Sequence, residues 1–266
     1  MKPCILILLS FSFLVSQELF FSEYIEGSQN NKAIEIYNGT GTDVDLSFYT
    51  IMQSHNGTDW GEDGDGGTEY ELNLSGTLQY GDVYIIAHAE AAGAITGVAD
   101  LTFEYGTQEG QSKIAAFNGN DAMGLFKNGV LIDVIGTETG STEWNVAGTF
   151  QATKNHTLVR KTEVNTGNGV EWTTDASATS SAGTDTDNSE WIVYNQDTFN
   201  YIGYHGDGDI VIEGCMDPTA LPTSYNSNAT TPCTDCCEYP EEVSIYNIQY
   251  TNDLGEPIVP DEEVCY

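Results

Sequence analysis

Four carboxylates, Asp59, Asp63, Asp65 and Glu69, crowd the glycine-rich stretch NGTDWGEDGDGGTEYE from Asn56 to Glu71. Hard oxygen donors on a chain that can turn at each glycine suit calcium, which takes roughly six to eight oxygens. The helix-loop-helix form of such a site needs Asp-x-Asp-x-Asp-Gly and a glutamate at the twelfth position. Counting from Asp63, that position is Leu74, so the EF-hand is excluded. What remains is a looser calcium site on loops at a sandwich end, or the ordinary solvated turn that acidic, glycine-rich loops make. The stretches TDTDNSE (Thr184 to Glu190) and HGDGD (His205 to Asp209) leave the same two readings open.

The cysteines are the second set with chemistry. Cys233 and Cys236 form a CxxC, and with Cys215 and Cys237 they could offer four thiolates to zinc, although zinc sites usually use two separated pairs. An exported chain favours disulfides. Adjacent Cys236 and Cys237 are unsuited to each other because the bridge would be strained. Five cysteines lie beyond the leader, Cys265 the last of them, and an odd number leaves one without a mate.

Catalytic spacing is missing. His55, His88, His156 and His205 are the only histidines; none stands in an HExxH arrangement, and the chain holds no GxSxG elbow and no P-loop. His88 closes an apolar run and reads as a strand-edge residue. Asp and Glu outnumber Lys and Arg by 41 to 7, for a net charge of -34. Such a surface repels phosphate backbones and anionic lipid, so no direct nucleic-acid binding is expected, and the basic residues make no patch beyond Arg160 and Lys161.

Residues Met1 to Ser16 (MKPCILILLSFSFLVS) place one lysine before a short apolar run, the pattern of a secretory signal peptide cut between Ser16 and Gln17. The run is shorter than the ~20 apolar residues of a spanning helix, and no later stretch approaches that length, so no membrane span is expected. Cys4 lies too early in the run to be lipidated at the cut.

Behind the leader, short runs of Ile, Val, Leu, Phe and Tyr alternate with Gly, Asn, Asp, Ser and Thr clusters, which predicts many short strands joined by turns. Strands are expected at Leu19 to Glu26, Ala33 to Asn38, Ser47 to Gln53, Glu69 to Leu74, Asp82 to His88, Ala122 to Lys127, Val130 to Gly136, Thr157 to Lys161 and Glu190 to Tyr194. Asn128 and Gly129 sit where a two-residue type I′ hairpin turn needs positive φ twice. Alternation on either side of them predicts a hairpin with one buried and one wetter face. Ala89 to Ile95 reads as a short helical turn. Glu163 to Ser189 is too long to be a structureless loop, and packing of Trp172 against Trp191 is expected to order it.

Taken in order, SEYIEGSQNNKAIEIYNGTGTDVDLSFYTI (Ser22 to Ile51), GDVYIIAHAEA (Gly81 to Ala91), FNGNDAMGLFKNGVLIDVIG (Phe117 to Gly136), TKNHTLVRK (Thr153 to Lys161) and SEWIVYNQDTFNYIGYH (Ser189 to His205) resemble the lamin-tail domain of secreted bacterial proteins. The resemblance implies an immunoglobulin-like β-sandwich with no catalytic residues, usually joined to other extracellular modules. A second resemblance follows at GC, DP and CEYP in Gly214 to Pro240, to a short cysteine repeat of secreted Bacteroidetes proteins. It implies a Cys215–Cys237 disulfide, with Cys233–Cys236 the remaining pair and Cys265 left over. The tail from Val243 to Val259 is similar to a region that precedes the enzyme in extracellular nucleases.

The organisation expected is therefore a signal peptide at 1–16, a lamin-tail-like sandwich at 17–205, a linker at 206–214, the cysteine repeat at 215–240 and the start of an incomplete domain at 241–266. Function follows as a non-catalytic module, extracellular or at the cell surface, that engages a polymer or protein through sandwich-end loops. The alternative is the amino-terminal accessory part of a secreted, metal-dependent nuclease or phosphodiesterase.

Overall fold

Apolar alternation sorts the first part of the chain into strands β1 (Phe20–Glu26), β2 (Lys32–Tyr37), β3 (Val44–Asp45), β4 (Tyr49–Ser54), β5 (Glu71–Asn73) and β6 (Thr77–Leu78). These are followed by β7 (Val83–His88), β8 (Leu101–Phe103), β9 (Ala122–Lys127), β10 (Val130–Ile135), β11 (His156–Arg160) and β12 (Trp191–Asn195), with one short helix, α1 (Gly93–Thr96), between β7 and β8. The computed structural model describes residues 17–62, 64, 67–104, 113–173, 179–206, 213–215, 217–221, 223–224, 231–233, 236–239, 250–251 and 257–258. Two units divide the chain, Met1–Gly208 and Asp209–Tyr266. No helix of the described residues is long and apolar enough to cross a membrane.

All nine expected strands form. Sequence reading misses β3, β6 and β8, which at two or three residues are too short to show a period. Pairing gives a six-stranded sheet in the order β12-β11-β1-β2-β7-β8 and a four-stranded sheet in the order β10-β9-β4-β5. Every pair in them is antiparallel except β7 with β8. Phe21, Tyr24, Ile34, Ile36, Ile86, Leu158 and Trp191 from the larger sheet meet Tyr49, Ile51, Met123, Leu125, Val134 and Ile135 from the smaller in one core. Each such side chain contributes about 1.5–3 kcal/mol when fully buried. The fold is all-β, an immunoglobulin-like sandwich, as the resemblance implied.

The Asn128–Gly129 turn has the expected positive φ at both residues, 50° and 76°. Its hairpin departs from simple alternation, because the β9–β10 register shifts between Leu131 and Asp133. Asp133, which regular alternation would leave to be sorted by face, is fully buried between the sheets. A second shift lies in β1 between Phe21 and Glu23. A bulge adds one residue to a strand and resets which side chains face which way. Phe21 and Tyr24 accordingly both enter the main core, while Ile25 belongs to a second apolar cluster on the outer face with Ala33, Ile85, Ile95 and Ile202.

The long loop is anchored at Trp172, which packs on Trp191 as expected. Trp172 and Trp191 pack edge to face at 6.4 Å, and both indole N–H groups donate to one hydroxyl, Ser181 Oγ, at 2.9 and 3.1 Å.

In the second unit, Glu213–Gly214 pairs in parallel with Thr231–Pro232, and Tyr250–Thr251 pairs with Pro257–Ile258. Cys215 is bonded to Cys237 and Cys233 to Cys236. Asp217 accepts hydrogen bonds from the Thr219 hydroxyl at 2.7 Å and the Tyr239 hydroxyl at 2.9 Å, tying the DP and CEYP motifs together. The leader 1–16 and Cys265 lie outside the described residues, as does most of the tail 241–266.

Candidate functional site

Chain segments that end or begin at one tip of the sandwich build a polar pocket. Asn30 comes from the β1–β2 turn, Lys32 from the start of β2, His55 from just after β4, His88 from the end of β7, and Ala115, Ala116, Phe117 and Asn118 from the segment leading into β9. The cavity is about 270 Å³, close to the lower limit of roughly 300 Å³ for small-molecule sites.

Each cationic or titratable group in the lining is held in place. Lys32 Nζ pairs with the Glu26 carboxylate and donates to Gly27 O at 2.8 Å. His55 Nδ1 lies 3.2 Å from Asp121 Oδ1 and its ring stacks on Tyr70 at 4.4 Å. Asp121 is buried, and burial raises its pKa against the opposing pull of backbone N–H donors from Asn56 and Asn118 and of His55. His88 Nδ1 accepts from Glu90 N at 3.1 Å, so the neutral ring carries its proton on Nε2. Burial holds the His88 pKa below its ordinary value, which keeps the ring neutral at pH 7. A cation, two imidazoles and two amides therefore converge beside an apolar wall from Phe117. None of the eight lining residues is a Ser, Thr, Cys, Asp or Glu.

The candidate calcium residues fare unevenly. Asp63 and Asp65 lie outside the described residues. Asp59 is exposed, and Glu69 is paired with Lys113. Both flanks of the loop are tied to the pocket: Asn56 N donates to Asp121 Oδ1 at 2.8 Å, and Tyr70 carries the His55 ring. Among the described residues, the only group of three or more metal-capable side chains with donor atoms within 4.8 Å is Cys233, Cys236 and Cys237.

His88, read as a strand-edge residue, does end β7 and also faces the pocket. Sequence reading passes over Lys32, Asp121, Phe117 and Asn118 as site residues. They are 85 or more positions apart in two groups, and only the sheet pairing brings those groups together.

A two-sheet sandwich with its loops gathered at the tips belongs to the immunoglobulin-like class. Residues 15–139 match the family described as Lamin Tail Domain, and the resemblance carried by the sequence motifs holds over that region. The matched span contains β1 to β10, and β11 and β12 complete the larger sheet beyond it. A DUF4876 family protein from Bacteroides thetaiotaomicron VPI-5482, solved as a crystal structure, is similar at 14% identity and a TM-score of 0.33, over 55% of this chain and 63% of that one. No curated protein matches.

Proposed function

We propose that this chain is a non-catalytic, extracellular β-sandwich module that binds a polymer or protein through the tip carrying the Lys32–His55–His88 pocket. One observation carries the reading: the pocket offers oriented donors and an apolar wall, while its lining has no hydroxyl or thiol nucleophile and no carboxylate pair. Recognition needs such an arrangement, whereas acyl or glycosyl transfer needs the missing groups. Export is supported by the apolar leader and by two disulfides, which persist in oxidising compartments. Nucleic acid is a poor partner because Lys32, Lys113, Lys127, Lys154 and Arg160 are each paired with a carboxylate.

Titration of the secreted protein with soluble neutral and acidic polysaccharides and with extracellular matrix proteins, followed by the imidazole NMR signals of His55 and His88, tests this. A ligand that shifts both signals and is recovered chemically unchanged is expected. Turnover of a ligand that disappears in His55→Ala overturns the reading.

A further inference from the structure

Two acids face each other on the outer side of the larger sheet, where nothing in the pocket involves them. Glu23 of β1 and Glu35 of β2 are direct cross-strand partners, which brings Cβ atoms to about 5 Å. The β1 bulge is what turns Glu23 outward, onto the face shared by Ile25, Ala33 and Ile85. Both acids are buried, at 1% and 0% exposure. Glu35 is satisfied: Ser22 Oγ donates to Oε1 at 2.7 Å and Gly203 N donates to Oε2 at 2.6 Å. Glu23 is not, since neither of its oxygens has a hydrogen-bond partner among the described residues.

A buried carboxylate with no donor is held either by a proton of its own or by a cation. A calcium-type ion needs roughly six to eight oxygens, and among the described residues no third acid, histidine or cysteine joins these two within 4.8 Å. Titratable groups from the elements packed around the pair are Tyr194 of β12, Tyr201 and Tyr204 of the segment after it, and Asp82 and Asp100 at the ends of the β7 region. None of these carries a positive charge that could pair with an ionised carboxylate. Burial raises both acids: Glu23 goes well above its usual value, with the charge of Glu35 adding to the rise, and Glu35 goes to about 8, where burial with the charges of Asp100 and Asp82 outweighs the Ser22 and Gly203 hydrogen bonds that pull it down.

The cover over the pair is the segment from Gln196 to His205, by which the chain leaves the sandwich. Phe199 and Ile202 pack into the outer apolar cluster, Thr198 O accepts from Thr157 Oγ1 at 2.9 Å, and Gly203 is bonded to Glu35 itself. We propose that Glu23 and Glu35 form a proton-operated latch that seats residues 196–205 on the sheet when protonated and frees them when ionised. Opening the cover lets water reach the acids, so the open form releases protons that the closed form keeps. The opening equilibrium then rises about tenfold per pH unit for each proton released, from the ordinary glutamate range up to the closed-state values.

Hydrogen exchange of the full chain, corrected for the intrinsic pH dependence, reads this directly at the amides of Ile202, Gly203 and Tyr204. Protection is expected to fall by about tenfold or more per pH unit between pH 5 and 7.5, with the core strands unmoved. The double variant Glu23→Gln, Glu35→Gln keeps the shape of the protonated pair and should stay protected across the range. If that variant does not fold, Glu23→Gln alone should reduce the slope, because one proton is then removed from the equilibrium. An unchanged slope in either variant overturns the latch. So does protection that follows added calcium or a chelator rather than pH, which would make a cation the occupant.

Discussion

Arg160 on β11 and Asp133 on β10 meet between the two sheets with both side chains fully buried, Nη1 to Oδ2 at 3.1 Å. Nη2 reaches Glu190 at 2.6 Å and the guanidinium lies over the Trp191 ring at 4.6 Å. Asp133 also accepts from Phe21 N at 2.8 Å and from Asn168 N at 2.9 Å. One carboxylate thus satisfies a backbone donor at the bulge of β1, one in the long loop, and an arginine on the opposite sheet. Burial raises the Asp133 pKa, and the guanidinium and these N–H donors pull against that.

Breaking this tie from one side strands a buried charge. Arg160→Met is expected to destabilise the sandwich by about 3–5 kcal/mol. Arg160→Lys should also cost stability, since a point-charge amine cannot reproduce the two-sided fork. Urea unfolding followed by tryptophan fluorescence measures both. Wild-type stability in Arg160→Met would show that the pair holds nothing together.

Much of the architecture was legible because it rests on local signals. Alternating runs located nine strands, Asn128–Gly129 marked its hairpin, and two tryptophans marked the ordered loop. The bulges were not legible. Each inserts one residue within an otherwise regular run, at Ser22 and at Ile132, and the flanking hydrophobics mask the shift. They decide where Glu23 and Asp133 point, so the two buried acid sites stayed hidden although both residues sat inside predicted strands. Arg160 shows the same limit: beside Lys161 it looked like half of a basic patch, yet strand alternation turned it into the core. The pocket was hidden for another reason, since Lys32, His55, His88 and Asn118 have no common period and meet only after the sheets pair.

Ser181 Oγ accepts from the indoles of both Trp172 in the long loop and Trp191 at the start of β12, so removing its hydroxyl should orphan two buried donors at once. Each orphan costs about 1–3 kcal/mol, and Ser181→Ala is expected to lose roughly 2–4 kcal/mol. Near-ultraviolet circular dichroism should show the tryptophan signal weakened below the melting transition. A variant with unchanged signal and stability would mean that aromatic packing alone orders the loop.

His205 sets an acid limit on stability. Its ring packs edge-on to Phe20 at 5.2 Å and against Tyr37 at 4.7 Å, and Nε2 has no hydrogen-bond partner among the described residues. Burial lowers its pKa from 6.5 to about 4. The folded value lies below the unfolded one, so its contribution is fully present above pH 6.5 and is lost as pH falls through 4. That shift corresponds to about 3 kcal/mol. Comparing denaturant midpoints of wild type and His205→Phe at pH 7.5 and pH 4 isolates it, because the other acids titrate in both. The variant should lose less on acidification, and equal losses would place the acid sensitivity elsewhere.

The disulfides divide the chain chemically. Cys215 and Cys237 are 22 positions apart with Cα atoms at 4.9 Å, and every cysteine beyond the leader lies at or after position 215. Cross-linking a loop of that length restricts the unfolded chain by about 3 kcal/mol in the entropy model. Non-reducing peptide mapping of the secreted protein should recover Cys215 joined to Cys237 and Cys233 joined to Cys236. Reductant, or Cys215→Ser, should then raise hydrogen exchange within Asp209–Tyr266 and leave β1 to β12 unchanged, since the sandwich holds no cysteine to reduce. Bound zinc in place of the bridges would remove the pairing, and reductant would then have no effect where a chelator does.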